Sequence, residues 1–287
     1  MYTGTQGDNG IYYHDTSLTN GAGDNSYRYA GANPNNFVCF GSSASPCPTD
    51  NLYRIIGVFG DKVKLIKYDC ATSNLLGTDG DYKGTGTPHS SYYKGSLTSI
   101  NKYSWNNSTN TNTWSESELN KTNLNTNFIT NIGTEWANKI ATTTWKVGGN
   151  TPEKILSVAP ATTYQNEVVN PVTTNTKDGA TEYTGKIGLM YVSDYGFAAA
   201  PSAWTTTLFD YYSSTVTTVN WMYMGLYEWT ISRHADYSDR ACYVDYTGDV
   251  EYDHVYIGDG VRPSFYLESS VAYVSGSGSA DDPMVIN

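Results

Sequence analysis

The sequence predicts an α+β fold, antiparallel and β-rich, with one or two helices and long irregular loops. Three observations carry this. Charged residues are only 16% of the chain, and Asn, Thr, Ser and Gly supply much of the polarity, a balance that favours strands and turns over helices. Tyr occurs 26 times against 7 Phe and 7 Trp, and an apolar ring with a polar tip suits both half-buried strands and wet recognition surfaces. Short apolar runs bounded by Gly, Asp and Asn recur along the chain. The 287 residues, 39% of them hydrophobic, allow a sizeable core within one elaborated domain spanning 1–287, and neither an internal repeat nor a linker divides it.

Taken in order, the first fifty residues are rich in Gly, Asn and Asp and read as irregular structure with one or two short strands. Cys39 and Cys47 stand eight apart across a flexible loop that a disulfide would close. Leu52–Phe59 and Lys62–Tyr68 flank Gly60-Asp61, which predicts a hairpin with a two-residue turn. Its Val63 and Leu65 should face the core, and Lys62, Lys64 and Lys67 the solvent. Residues 69–112 read as loop. A helix is expected from near Ser115, where Ser115 and Glu118 offer a capping box, through Leu124, Phe128 and Ile132 to a stop at Gly133. A second short helix is expected at Glu135–Ile140, strands at Thr142–Val147 and Ile187–Ser193, and a polar loop over 166–180. Val219–Ile231 is aromatic and reads as buried. Ala241–Tyr246, Val250–Ile257 and Val261–Leu267 predict an antiparallel meander, with a last strand near Val271–Val274 before the closing Pro283-Met284-Val285-Ile286.

The formal charge of −11 argues against nucleic acid, because a phosphate backbone rewards clustered Lys and Arg, and the 17 basic residues are scattered. The same acidity argues against docking on anionic lipid. No segment approaches the ~18–20 apolar residues of a membrane span, and no signal-peptide pattern follows Met1. The composition resembles the makeup of exported bacterial proteins more than that of cytosolic enzymes, so an extracellular or cell-surface location is expected, with its export signal already removed. Cys70 and Cys242 are given no partner, and no Cys-x-x-Cys or His-x-x-x-His spacing supports zinc.

Two short motifs carry a resemblance. Gly225-Leu226-Tyr227-Glu228-Trp229-Thr230 resembles the Glu-Trp-Thr motif of the C-type-lectin-like fold shared with formylglycine-generating enzymes, and Gly260-Val261-Arg262-Pro263 resembles the Gly-Phe-Arg element that closes that fold. The resemblance covers the last sixty or so residues well and the rest loosely. It implies a C-type-lectin-like fold and, more narrowly, the variable proteins of diversity-generating retroelements, of bacterial or phage origin, which carry their diversified positions between these motifs. Asn fits that implication: it occurs 25 times, yet after position 175 only Asn220 and Asn287 remain. Between the motifs stand the residues reached when adenines of an Asn codon are replaced, and diversification in that family is adenine-directed.

The expected ligand-binding set is His234, Asp236, Tyr237, Asp239, Arg240, Cys242, Tyr243, Asp245, Tyr246, Asp249, Tyr252, Asp253, His254, Tyr256 and Asp259, within a diversified region of about 232–261. Tyr gives contact area at small entropy cost, while Asp, Arg and His give directional contacts. Trp221, Trp229, Val261 and Phe265 are the expected packed layer beneath. The expected partner is a protein or a cell-surface glycan. A carbohydrate-binding module and a structural surface or pilus component are the competing readings. Catalysis is not expected. Only Cys242 stands where formylglycine-generating enzymes need a cysteine pair, the many carboxylates form no evident acid–base pair, and no Gly-x-Ser-x-Gly elbow accompanies the histidines. No cofactor is expected; a structural calcium is the one ion the clustered aspartates leave open, without an Asp-x-Asp-x-Asp-Gly loop to hold it.

Overall fold

The computed structural model describes residues 4–172 and 180–287. Its sheets are mostly antiparallel and its helices short, so the protein is of mixed α+β class. The expected hairpin forms its centre. Strands β4 (Leu52–Phe59) and β5 (Lys62–Lys67) pair around Gly60, whose φ of +61° lies in the left-handed region that costs a glycine nothing. They belong to a seven-stranded sheet ordered β1 (Ile11–His14), β2 (Ser26–Tyr29), β4, β5, β16 (Ser264–Tyr266), β11 (Ile187–Gly188), with β3 (Phe37–Cys39) also on β4.

A four-stranded sheet is ordered β14 (Val250–His254), β13 (Arg240–Val244), β12 (Glu228–His234), β9 (Gly149–Asn150), and β9 lies parallel to β12. Strand β15 (Gly258–Asp259) pairs with β7 (Ile100–Ser104), which pairs with β6 (Tyr82–Gly86). Two-stranded ribbons join β8 (Thr143–Lys146) to β10 (Glu182–Gly185), and β17 (Tyr273–Ser275) to β18 (Val285–Ile286).

The central sheet is buried on both faces. Leu65 and Phe265 join a cluster with Trp105, Trp145 and Trp229, while Ile66 joins another with Met190, Tyr195, Trp221 and Met222. Full burial of one such aliphatic side chain contributes about 1.5–3 kcal/mol. This overturns the wet face expected for the hairpin. Lys64 and Lys67 are buried, Lys64 paired with Asp194 at 2.5 Å and Lys67 bonded to the Asp50 carbonyl at 3.0 Å. Arg28 completes the buried charge cluster, 2.6 Å from Asp24 and 3.5 Å from Asp194. A buried cation is tolerable only when so partnered.

Other expectations shift. Residues 69–112 hold β6 and β7, whose Gly, Thr and Asn content hid them. The long helix begins later than Ser115, at Leu119, and runs in the wide π form to Phe128. Asp81 and the Ser117 hydroxyl, rather than a Ser115 box, accept from its first amides. Gly133 does end it, with φ at +82°. The second helix is Thr134–Ala137. Ile187–Ser193 is strand only to Gly188, and Val192 opens helix Val192–Ala198, capped by Asp194. Of the expected loop, residues 166–169 belong to a helix, Gln165–Val169, while 173–179 lie outside the described residues. The meander is broken. The segment Ser264–Tyr266 leaves its neighbours and pairs with β5 and β11, because its phenylalanine is needed in the central core. Cys39 and Cys47 are disulfide-bonded, with Cα atoms 5.8 Å apart, and Cys70 and Cys242 are free and buried.

Candidate binding surface

The two motifs at the ends of the candidate region meet in space. Glu228 accepts from Arg262 Nε at 2.6 Å, both side chains buried, and Arg262 Nη2 also donates to the Met222 carbonyl at 2.8 Å. Backbone bonds run from Trp229 N to Gly260 O and from Gly260 N to Tyr227 O. The indole of Trp229 donates to Tyr103 O at 2.9 Å and that of Trp105 to Thr230 O at 3.0 Å. Trp221, Trp229, Val261 and Phe265 are all buried. Between these fixed ends the chain leaves β12, forms the β13–β14 hairpin, and returns through β15.

Strand periodicity divides the hairpin's side chains between two faces. On one, Arg240, Cys242 and Val244 stand opposite His254, Tyr252 and Val250; on the other, Ala241 and Tyr243 stand opposite Asp253 and Glu251. On the first face the guanidinium of Arg240 lies over the rings of Tyr237 and Tyr252, at 5.0 and 5.5 Å. His254 Nδ1 lies 3.0 Å from Asp239 Oδ2, and its ring stacks on Tyr256. Arg240 and Tyr252 also border an open groove of about 420 Å³ with Pro152, Leu156 and the exposed Phe209.

On the second face Tyr246 is stacked on His89, with ring centres 4.0 Å apart, and meets Tyr227 edge-on at 5.0 Å. Tyr243 packs near Tyr227 and donates its hydroxyl to Glu251 at 3.0 Å. Asp245 accepts the amide and hydroxyl of Thr247, whose hydroxyl also reaches Asp249, which ties the hairpin turn. Burial raises the Asp245 and Glu251 carboxyls, and the neighbouring acids add to it.

Of the expected contact set, Asp236, Tyr237 and Tyr256 are exposed, and Asp239, Arg240, Asp245, Tyr246, Tyr252, Asp253 and His254 are half-buried. His234, Cys242, Tyr243, Asp249 and Asp259 are buried. Cys242 points into the apolar core, where burial pushes its thiol far up, and it leaves the surface. His234 is wedged between the Tyr237 and Tyr252 rings, and its Nδ1 accepts from Asp236 N at 2.9 Å, so it shapes the loop from beneath. Sequence reasoning missed Asn112, whose Nδ2 sits 2.8 Å from the carbonyls of His234, Tyr237 and Arg240 and pins that loop. It also missed Tyr227, His89 and Tyr92, which lie outside the region and yet extend its aromatic face. The sequence around residue 112, rich in Asn, Thr and Ser, reads as loop and carries no signal for that role.

Fold and surface together define a mixed α+β protein that presents a Tyr-, Asp- and His-lined hairpin on an aromatic scaffold. No protein-family model matches the chain, and no curated protein or solved structure matches it either. Among the described residues no helix is long and apolar enough to cross a membrane.

Proposed function

We propose that this chain is a secreted or surface-displayed ligand-binding protein of C-type-lectin-like fold, related to retroelement variable proteins, whose β13–β14 hairpin and flanking loops contact a protein or cell-surface glycan. One observation carries the reading: the motif residues are locked together by the buried Glu228–Arg262 pair, while between them Asp236, Tyr237 and Tyr256 are exposed and Asp239, Arg240, Asp245, Tyr246, Tyr252, Asp253 and His254 are half-buried. Fixed ends with replaceable contacts between them are what a diversified surface requires, since surface substitutions cost within about ±0.5 kcal/mol each. The Cys39–Cys47 bond supports an oxidising exterior, where such bonds persist. No reaction is assigned to the chain.

The test is a displayed library randomised at Asp236, Tyr237, Asp239, Asp253 and Tyr256, selected against immobilised lysozyme and immobilised mannan. Enriched binders should melt within about 3 °C of the parent, as small surface changes do. Library members that fail to fold, or folded members that never enrich, would overturn the proposal.

A further inference from the structure

Tyr68, Trp221 and Tyr223 line a pocket of about 320 Å³ together with Arg54 and Lys94. None of the hairpin's expected contact residues borders it. The chain carries 28 acidic residues against 17 basic ones, yet both charged residues of this lining are cations. A cleft of one sign, with walls of low dielectric, concentrates the opposite charge.

Arg54 is 4% exposed. Its Nε donates to Asn36 Oδ1 at 2.7 Å, Nη1 to Trp221 O at 3.2 Å and Nη2 to Pro34 O at 3.0 Å. The guanidinium lies over the rings of Phe37 and Trp221, at 4.3 and 4.6 Å. Neutral oxygens and ring faces hold the fork in place without cancelling its charge. Among the described residues Arg54 forms no ion pair, whereas the buried Arg28 and Arg262 each meet a carboxylate. Lys94 is exposed and likewise has no ion pair among the described residues. Its backbone is fixed, for its amide donates to Met224 O at 3.0 Å and its carbonyl accepts from the Tyr68 hydroxyl at 3.3 Å.

The rest of the lining narrows the anion. A bare inorganic ion would use the two cations and leave the rings idle. A sugar acid uses both, because its C–H faces pack on aromatic rings and its hydroxyls suit Thr217 and Thr218, which also border the pocket. The volume lies at the small end of the about 300–1,000 Å³ usual for ligand sites, which suits a single monosaccharide.

We infer that this pocket binds one uronic acid unit of an acidic glycan, its carboxylate set against Arg54 and Lys94 and its ring against the aromatic wall. The site is separate from the hairpin surface and does not rest on the reading of that surface.

The ¹⁵N-labelled full chain would be titrated with methyl glucuronide, methyl glucoside, the N-acetyl methylamide of glutamate, and inorganic phosphate. Methyl glucuronide should shift the Lys94 amide and the Trp221 indole saturably, and added salt should weaken it. Methyl glucoside, which lacks the carboxylate, should bind about tenfold more weakly. Lys94→Glu should weaken the glucuronide about tenfold, with a well-dispersed spectrum showing that the variant folds. Lys121→Glu makes the same charge change on an exposed lysine outside the pocket and should leave the titration unchanged. Absence of saturable shifts, equal binding of the glucoside, or a Lys94→Glu titration like the parent's would overturn the inference. Glutamate or phosphate binding as tightly as the glucuronide would also overturn it, the first in favour of an acidic peptide and the second of any small anion. Each of these results leaves the hairpin surface standing, and a hairpin library that fails to yield binders leaves this pocket standing.

Discussion

Glu228 and Arg262 show what one residue contributes here. Each is buried, and each satisfies the other where water cannot. Burial raises the Glu228 carboxyl, and Arg262 holds that rise in check. Removing one partner leaves an uncompensated charge. Arg262→Met should therefore destabilise by about 3–5 kcal/mol, measured by chemical denaturation. The Glu228→Gln, Arg262→Met double variant should recover part of that loss, because neither charge then remains. Equal stability of the single variant and the parent would mean that the pair does not fix the ends of the hairpin.

At the level of elements, the hairpin is governed by a period of two. That period explains why a run of contact-type residues in the sequence becomes two faces, with Arg240, Tyr252 and His254 on one and Tyr243, Glu251 and Asp253 on the other. The loop before the hairpin has no ladder of its own, and Asn112 supplies its order from a segment more than a hundred residues away. Asn112→Leu keeps the volume but leaves three carbonyls without their donor. The expected cost is about 1–3 kcal/mol, with faster hydrogen exchange confined to residues 234–240. Exchange rates equal to the parent's would show that the loop orders itself.

The whole molecule should depend on pH in a way that follows from its buried groups. Glu167 is buried beneath helix Val192–Ala198, accepts from Ser193 N at 2.6 Å and from the Ser232 hydroxyl, and is raised by burial to about 7. Asp259 is raised to the same value. A carboxyl raised in the folded state binds its proton more tightly than in the unfolded chain, so stability falls as pH rises from about 4 to about 7. His14 works in the other direction. Buried and accepting from Ala22 N at 3.0 Å, it is lowered by burial, with help from Arg28, to about 3, so its contribution is lost as pH falls from about 6.5 toward 3. Two groups outweigh one across the shared window, and the melting temperature should be higher at pH 5 than at pH 8. Glu167→Gln, whose amide oxygen can still accept from Ser193 N, should flatten that slope. A parent protein that melts higher at pH 8 would contradict this balance.

The sequence by itself determined the central hairpin, the end of the long helix at Gly133 and the Cys39–Cys47 bond. Each depends on neighbours in the chain: a turn between apolar runs, a glycine's left-handed φ, a short loop. Tertiary structure alone decided the rest. Lys64 and Lys67 are buried because a second layer, with Asp194 and Asp50 to pair them, covers a face that local alternation left open. Strands β6 and β7 form despite their Gly and Asn because the core supplies Tyr103 and Trp105 with partners. Which of the region's Tyr, Asp and His side chains reach solvent was settled by strand facing and by distant residues such as Asn112, His89 and Tyr227. A side chain's burial depends on what lies opposite it in space, and no local pattern encodes that.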